Sequence, residues 1–285
     1  MMIIVDYGGL SAANVAINKE NDENMIRHMI INSLRMYRNA YKGEFGELVI
    51  ACDGKDNWRK KYYKQYKANR KKSRDKSGID WDEAFRIINK VRDEIRDNFP
   101  YKVIHLDECE ADDIIGTLCK NTQEFGEYEN VMIVSADKDF LQLQRYNNVR
   151  QYSPLLKKEY RETNPHVNLT EKILTGDAGD GVPNVLSHDN VFVDGERQRP
   201  LSRKKKDEMI DQLSGTDTSY QYSDWYRNYQ RNRTLIDLTY TPSHIQEEII
   251  KQYKDQDKWS QKGLVLPYLI NNNMKMMIES VEELI

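Results

Sequence analysis

The chain has 285 residues, 39% hydrophobic and 31% charged, with a net charge of −3. That length allows one large domain or two ordinary ones around a sizeable core, and no apolar run approaches the roughly 20 residues that span a bilayer. The start of the chain has neither a basic region nor a cleavage site, so no signal peptide is expected. Cys52, Cys109 and Cys119 lack metal-ligand spacing and read as buried free thiols in a reducing cytosol.

The first strand is Met2 to Val5, closed by Asp6. Polar residues from Asn18 to Asn24 lead to a helix from about Met25 to Tyr41, in which Ile26, Ile30, Leu34, Tyr37 and Tyr41 recur at helical spacing. Leu48 to Cys52 is the second strand, closed by Asp53. A basic segment follows. From Trp58 to Lys76 there are ten Lys or Arg and a single acid, Asp75, so the segment carries +9 and leaves −12 on the rest of the chain. An acidic body with one concentrated basic stretch implies an anionic partner with a defined docking place.

A second amphipathic helix is expected from Trp81 to Asn98, with Trp81, Phe85, Ile88, Val91 and Ile95 on one face and Pro100 as its stop. The third strand is Lys102 to Leu106. Glu110 to Lys120 reads as a helix with acids in its first turn, and Val131 to Ser135 as the fourth strand. Alternating strands and helices predict a doubly wound, mainly parallel α/β domain. After about residue 165 the pattern turns helical, over Asn168–Leu174, Ser202–Leu213, Tyr220–Asn232, Pro242–Lys254 and Leu266–Leu284, with an irregular loop from Pro183 to Pro200. The expected division is therefore an α/β domain over 1–165, with the basic segment 55–80 as an arch or lid, and a mainly helical domain over 166–285.

Nine acids fall in five clusters, and most of them follow short apolar strands. They are Asp6, Asp53, the group Glu110, Asp112 and Asp113, the pair Asp137 and Asp139, and the pair Asp177 and Asp180. Each cluster has a plain alternative as a helix cap, a dipole partner or a turn. Their conjunction is what those alternatives do not explain. Open α/β sheets build sites outside the carboxyl ends of their strands. Carboxylates converging there need a positive occupant, and hard divalent cations such as Mg²⁺ or Mn²⁺ suit oxygen ligands.

In the basic segment Lys60, Lys64, Lys67, Lys71 and Arg74 recur at helical spacing, with Tyr62 and Tyr66 beside them. A solvated helix face usually mixes signs, and this one hardly does. Lys and Arg neutralise phosphates while tyrosine rings stack on unpaired bases, so nucleic-acid contact is the favoured reading. The run Arg203-Lys204-Lys205-Lys206 opens a helix and reads equally as contact or plain surface.

Taken together, Ile4-Val5-Asp6, Ala51-Cys52-Asp53-Gly54, Tyr66-Lys67-Ala68-Asn69-Arg70, Glu110-Ala111-Asp112-Asp113, Ser135-Ala136-Asp137-Lys138-Asp139-Phe140 and Gly176-Asp177-Ala178-Gly179-Asp180 resemble the flap endonuclease and 5′-nuclease family. The likeness is greatest to its bacteriophage members with a PIN-like domain, historically called phage RNase H. It covers roughly Met2 to Pro183, and Arg231 to Leu238 also looks like a late segment of phage members. One departure is visible. Many members continue into a Gly-Ile-Gly helical hairpin that grips duplex DNA and holds K⁺, and no such glycine pair follows Gly181-Val182-Pro183-Asn184-Val185 here. The Arg203 to Lys206 run is a candidate for the missing duplex contact.

The resemblance implies a 5′-to-3′ exonuclease and flap endonuclease acting at 5′ flaps, nicks and RNA·DNA primers in phage lagging-strand primer removal. It implies two Mg²⁺ ions, with Mn²⁺ as a substitute. Asp6, Asp53, Glu110 and Asp112 form the first metal site with Asp113 in support, and Asp137, Asp139, Asp177 and Asp180 form or support the second. Lys67 and Arg70 meet the scissile phosphate. Arg59, Lys60, Lys64, Tyr66, Lys67, Arg70, Lys71, Arg74, Arg203, Lys204 and Lys205 make up the nucleic-acid surface. A replication single-strand-binding protein or sliding clamp is the candidate partner. A cytoplasmic monomer is expected, in host cytoplasm if the chain is phage-encoded. Two rival readings fit the residues less well. A catalytically inactive DNA-junction binder leaves the complete set of acids unexplained. A Mg²⁺-dependent phosphatase of the haloacid-dehalogenase type needs an Asp where Gly8 stands.

Overall fold

The computed structural model describes residues 1–18, 21–70, 74, 77–123 and 128–285. Its centre is a six-stranded sheet with strand order β3-β2-β1-β4-β5-β6. The strands are β1 (Met2–Asp6), β2 (Glu47–Cys52), β3 (Lys102–His105), β4 (Val131–Val134), β5 (Val149–Ser153) and β6 (Lys158–Tyr160). All neighbours pair in parallel except β6, which runs antiparallel at one edge. Side chains alternate between faces along a strand. Ile3, Val5, Leu48, Ile50, Met132 and Val134 enter one core, while Met2, Ile4, Val49, Ala51, Val131 and Ile133 enter the other.

The first face is covered by α1 (Tyr7–Asn18), α2 (Glu23–Phe45) and, after the short α3 (Trp58–Tyr62), by α4 (Trp81–Asn98). The second is covered by α5 (Ala111–Asn121) and the 3₁₀ segment Lys138–Arg145. The helical half contributes α6 (Pro165–Thr175), α7 (Arg203–Ser214), α8 (Asp224–Ile236), α9 (Ser243–Asp255), α10 (Val265–Asn271) and α11 (Lys275–Ile278).

The expected boundary near residue 165 separates sheet from helix in sequence, but the cores cross it. Val265, Tyr268, Leu269, Met274, Met277 and Leu284 pack into the first core. Leu238, Ile245 and Ile249 complete the second. A parallel sheet must be covered on both faces, and the later helices supply part of that cover. A third core lies within the helical half, and Tyr63 and Tyr66 of the basic segment belong to it.

Other differences have local causes. Helix α1 starts directly after β1 although Gly8 and Gly9 lower its helix propensity. Strand β5 was hidden because its inward positions include the polar Gln151 and Ser153. On α4 the buried face is Ala84, Ile87, Ile88, Val91 and Ile95, and Phe85 is exposed. The expected final helix is broken into α10, α11 and a 3₁₀ turn, with Asn273 at φ +55° between the two helices.

The basic segment is not one helix. Trp58–Tyr62 is helical, a turn follows over 64–69, and Arg70 and Arg74 are again helical among the described residues. Tyr63 and Tyr66 are drawn into the third core, and the Lys67 N–H donates to the Asp180 carbonyl at 2.7 Å with Lys67 at φ +56°. Lys60, Lys64 and Lys67 therefore do not share one helical stripe. Lys71 lies outside the described residues. Among these residues no helix is long and apolar enough to cross a membrane.

Candidate active site

The chain winds outward from β1 through β2 and β3 on one side and from β4 to β5 on the other, so the sheet reverses direction between β1 and β4. Ligand sites of doubly wound sheets form at that reversal. Asp6 ends β1 there. Its carboxylate accepts from the Gly9 N–H at 3.0 Å and from the Ser135 hydroxyl at 2.9 Å. Asp53, just past β2, accepts from the Ala111 N–H at 2.9 Å and so ties the sheet to the start of α5. A Cβ on Gly8 would lie 2.7 Å from one Asp53 carboxylate oxygen and 3.7 Å from one of Asp6. A Cβ on Gly9 would lie 2.8 Å from Asp6. The glycine pair makes room for both acids.

Burial pushes the Asp6 carboxyl up to about 6, and the nearby charges of Asp53 and Asp137 add to it despite the hydrogen bonds from Gly9 and Ser135. Asp112, in the first turn of α5, is held well above the usual carboxylate range by burial, with Asp137, Glu110 and Asp6 close by. Asp137, which caps the 3₁₀ segment after β4, is raised by burial and by Asp180 and Asp177. Burial and like charge both favour the protonated carboxyl, and positive charge nearby favours the carboxylate.

Some positive charge is supplied by the protein itself. The Lys67 ammonium is hydrogen-bonded to Glu110 and lies 3.6 Å from Asp180. Arg70 donates to Asp180 at 2.6 Å. Burial raises the Asp180 carboxyl, but Lys67 and Arg70 outweigh it and hold the group below its usual value. Lys172 of α6 pairs with Asp139 and stands 3.2 Å from Asp177. The Gly176–Gly181 turn seats Asp177 and Asp180. Gly181, at φ +72°, has the Gln65 carbonyl where a Cβ would come within 2.8 Å.

All nine predicted acids thus belong to one neighbourhood; Asp113 takes its supporting place without being free to bind a cation itself, and the roles expected of Arg59 and Tyr66 change. Asp113 is fully buried and accepts from Arg59, Trp58, Thr241 and the Glu110 N–H. Its lone pairs are taken, so it is not available as a metal ligand. Arg59, expected to meet nucleic acid, is 1% exposed and spends its charge on Asp113. Tyr66, expected to stack on a base, is buried, with its hydroxyl donating at 2.8 Å to Glu110 and lying 3.0 Å from Asp180. The cause is common to Arg59 and Tyr66: converging acids draw the nearest donors inward. Lys60, Lys64, Arg74, Arg203, Lys204 and Lys205 are exposed.

Sequence reasoning missed Lys172, Ser135 and Gln151. Ser135 bridges Asp6 and the Asp137 N–H. Buried Gln151 donates to the carbonyls of Ser135 and Asp137 and holds the turn after β4. The Gly8-Gly9 pair at a helix start was a readable signal that something needed space.

A doubly wound PIN-like sheet carrying an acid cluster at its reversal point, with lysine and arginine turned onto those acids, defines a PIN-like nuclease. Residues 8–173 match the 5′-3′ exonuclease N-terminal resolvase-like domain, and residues 163–284 match the T4 RNase H C-terminal domain. Ribonuclease H of Enterobacteria phage T4 is 29% identical over 292 residues, covering 98% of this chain and 94% of that protein. The 5′-3′ exonuclease of Buchnera aphidicola is 29% identical over 180 residues, covering 60% and 58%. In fold, the chain is similar to bacteriophage T5 5′-exonuclease with divalent metal ions bound, at a TM-score of 0.63 with 18% identity over 89% of this chain and 98% of that one. It is also similar to T5 flap endonuclease in a complex with DNA and metal ions, at a TM-score of 0.60 with 18% identity over 99% of both chains. The chain belongs to the 5′-3′ exonuclease family, and it is a phosphodiester hydrolase.

Proposed function

We propose that this enzyme removes nucleotides from 5′ ends at flaps, nicks and RNA·DNA primers with two divalent ions, Mg²⁺ or, in its place, Mn²⁺. The observation that carries the reading is the gathering of carboxylates at the sheet's reversal point with Lys67 and Arg70 turned onto them. The donor set fits the ions. It is made of carboxylate oxygens, which hard cations prefer. The carboxyls of Asp6, Asp112 and Asp137 are raised first by burial and then by neighbouring acids, and a cation among them would favour their charged forms.

Asp6, Asp53, Glu110 and Asp112 would hold one ion, and Asp137, Asp139, Asp177 and Asp180 would hold or support the other. Bound there, such ions would offset phosphodiester charge, make a water ionisable near neutral pH and stabilise the leaving 3′-oxygen. The chain's own residues do the positioning. Ser135 keeps Asp6 and the Asp137 turn in register. Lys172 neutralises Asp139 and Asp177 in the free protein. Lys67 and Arg70 exchange Glu110 and Asp180 for the scissile phosphate when substrate arrives, and there they oppose charge growing on its oxygens. Exposed Lys60 and Lys64 guide the 5′ strand, and Arg203, Lys204 and Lys205 at the start of α7 meet the duplex.

The test is cleavage-site mapping on matched flap, nicked, blunt and RNA-primed substrates with Mg²⁺. Products carrying a 5′-phosphate released from the 5′ end support the reading. Cleavage from 3′ ends, or none on any substrate, overturns it.

A further inference from the structure

We propose that the buried Arg59–Asp113 ion pair is a positioning device, setting the orientation of Glu110 and the root of the basic segment without touching metal or substrate. It rests on the nuclease reading above. Asp113 is 0% exposed and Arg59 is 1% exposed. The two meet through paired bonds of 2.7 and 2.9 Å. Trp58 Nε1 donates to Asp113 at 3.2 Å, the Thr241 hydroxyl at 2.7 Å and the Glu110 N–H at 3.0 Å. A carboxylate has about four lone-pair sites, and five donors already use them. Nothing remains for a cation.

The guanidinium extends the same grip. Its Nε donates to the Leu235 carbonyl at 2.9 Å, Nη1 lies 3.4 Å from Glu110, and its plane sits 4.6 Å from the Trp58 ring. Three stretches therefore meet at one pair: the root of the basic segment, the first turn of α5, and the chain from α8 to Thr241. Glu110 is fixed twice, through its N–H by Asp113 and through its carboxylate by Arg59. Its other contacts are Lys67 and Tyr66. An apolar pair of equal volume would fill this space, at the cost of leaving the Trp58 Nε1, the Thr241 hydroxyl, the Glu110 N–H and the Leu235 carbonyl without these partners. It would not hold an N–H, a carboxylate and a distant carbonyl in one fixed relation.

The test compares wild type with three variants: the double Arg59→Met/Asp113→Leu, the milder Trp58→Phe, and Asp113→Asn. Four quantities are read. They are the urea midpoint, the Mn²⁺ concentration giving half of the metal's thermal shift, trypsin cutting after Lys60, Lys61 and Lys64, and kcat against KM on a 5′ flap. The double variant should still unfold cooperatively, at a lower urea midpoint than wild type because those buried groups lose their partners. While folded it should need on the order of 10–100-fold more Mn²⁺ and lose kcat by a similar factor. Trypsin should cut it faster, and KM for DNA should stay put. Trp58→Phe should move the same way by about a tenth of that range, and it decides the matter if the double variant does not fold. Wild-type Mn²⁺ response and kcat in either variant would make the pair merely structural. Loss of the whole Mn²⁺ response in Asp113→Asn and in the double variant alike, with both still unfolding cooperatively and Trp58→Phe keeping the wild-type response, would make Asp113 a ligand; both results overturn the inference. If wild type shows neither cleavage nor a Mn²⁺ shift, it is the nuclease reading that fails, and the positioning role falls with it.

Discussion

The carboxyl edge of the sheet and the basic segment from Trp58 to Arg70 face each other, yet different forces fix their side chains. Asp6 and Asp53 sit where parallel strands end, and the register of β1 with β2 and β4 places them. Any sequence that forms those strands puts its acids there. The basic segment has no such frame. Its helix ends after five residues, and each later side chain goes where tertiary contacts draw it. Arg59 and Tyr66 turn inward to the acids, Lys67 and Arg70 lean over them, and Lys60 and Lys64 stay in solvent. Charge content predicts that a segment binds something anionic. It does not predict whether that anion belongs to a partner or to the protein itself.

The largest effect should come from the acid edge. Asp137→Asn should reduce cleavage of a labelled 5′ flap to background while leaving the gel shift in Ca²⁺ largely intact, because a ligand's charge holds the metal and phosphate contacts elsewhere carry binding. Near-normal turnover at saturating Mg²⁺ would remove Asp137 from the metal set. Next comes the face of the basic segment that leans over the acids. Lys67→Ala with Arg70→Ala should lower turnover on the order of 10²-fold. It should also make flap binding less salt-dependent by roughly 0.7 in log–log slope per lost single-strand contact. An unchanged slope with reduced turnover would mean that these residues serve the acids alone.

Arg203→Ala with Lys204→Ala should be milder. Duplex affinity should fall and its salt slope shrink by roughly 0.9 per lost contact, with turnover at saturating substrate unchanged. A pH experiment gives the smallest and most diagnostic effect. Burial raises Asp6 to about 6 in the folded chain, above the ordinary 3.8 of an exposed aspartate. A carboxyl raised by folding contributes stability below the unfolded value, and that contribution is lost as pH rises through the folded one. The metal-free protein should therefore lose stability between about pH 4 and pH 6. Divalent ions should restore it above that window, by about 2.7 kcal/mol at a hundredfold excess over Kd. Thermal melts with and without Mg²⁺ at pH 5 and pH 8 check this, and an equal shift at both values would detach Asp6 from the metal.

Much of the molecule was legible beforehand because local rules decide it. Short apolar runs became β1 to β4, period-3.6 patterns became α2, α4 and α5, and the acids that close those elements were found from position alone. Polar β5 escaped because the signal for a buried strand is apolar content, and Gln151 and Ser153 are held inward by hydrogen bonds and packing instead. Lys172 escaped because a lysine on a helix looks like solvated surface until the fold brings Asp139 and Asp177 to it.

The sequence by itself determined the four strands β1 to β4, the placing of nine acids and the family. Each of these follows from spacing along the chain, which local periodicity and motif order preserve. Only the tertiary structure decided how those acids divide. It turned Asp113 into the partner of Arg59, folded Tyr66 under Glu110, and wrapped the last helices over both faces of the sheet. The physical reason is that a buried charge must be paired by whatever the fold brings within about 4 Å, and distance in space is what a linear sequence does not record.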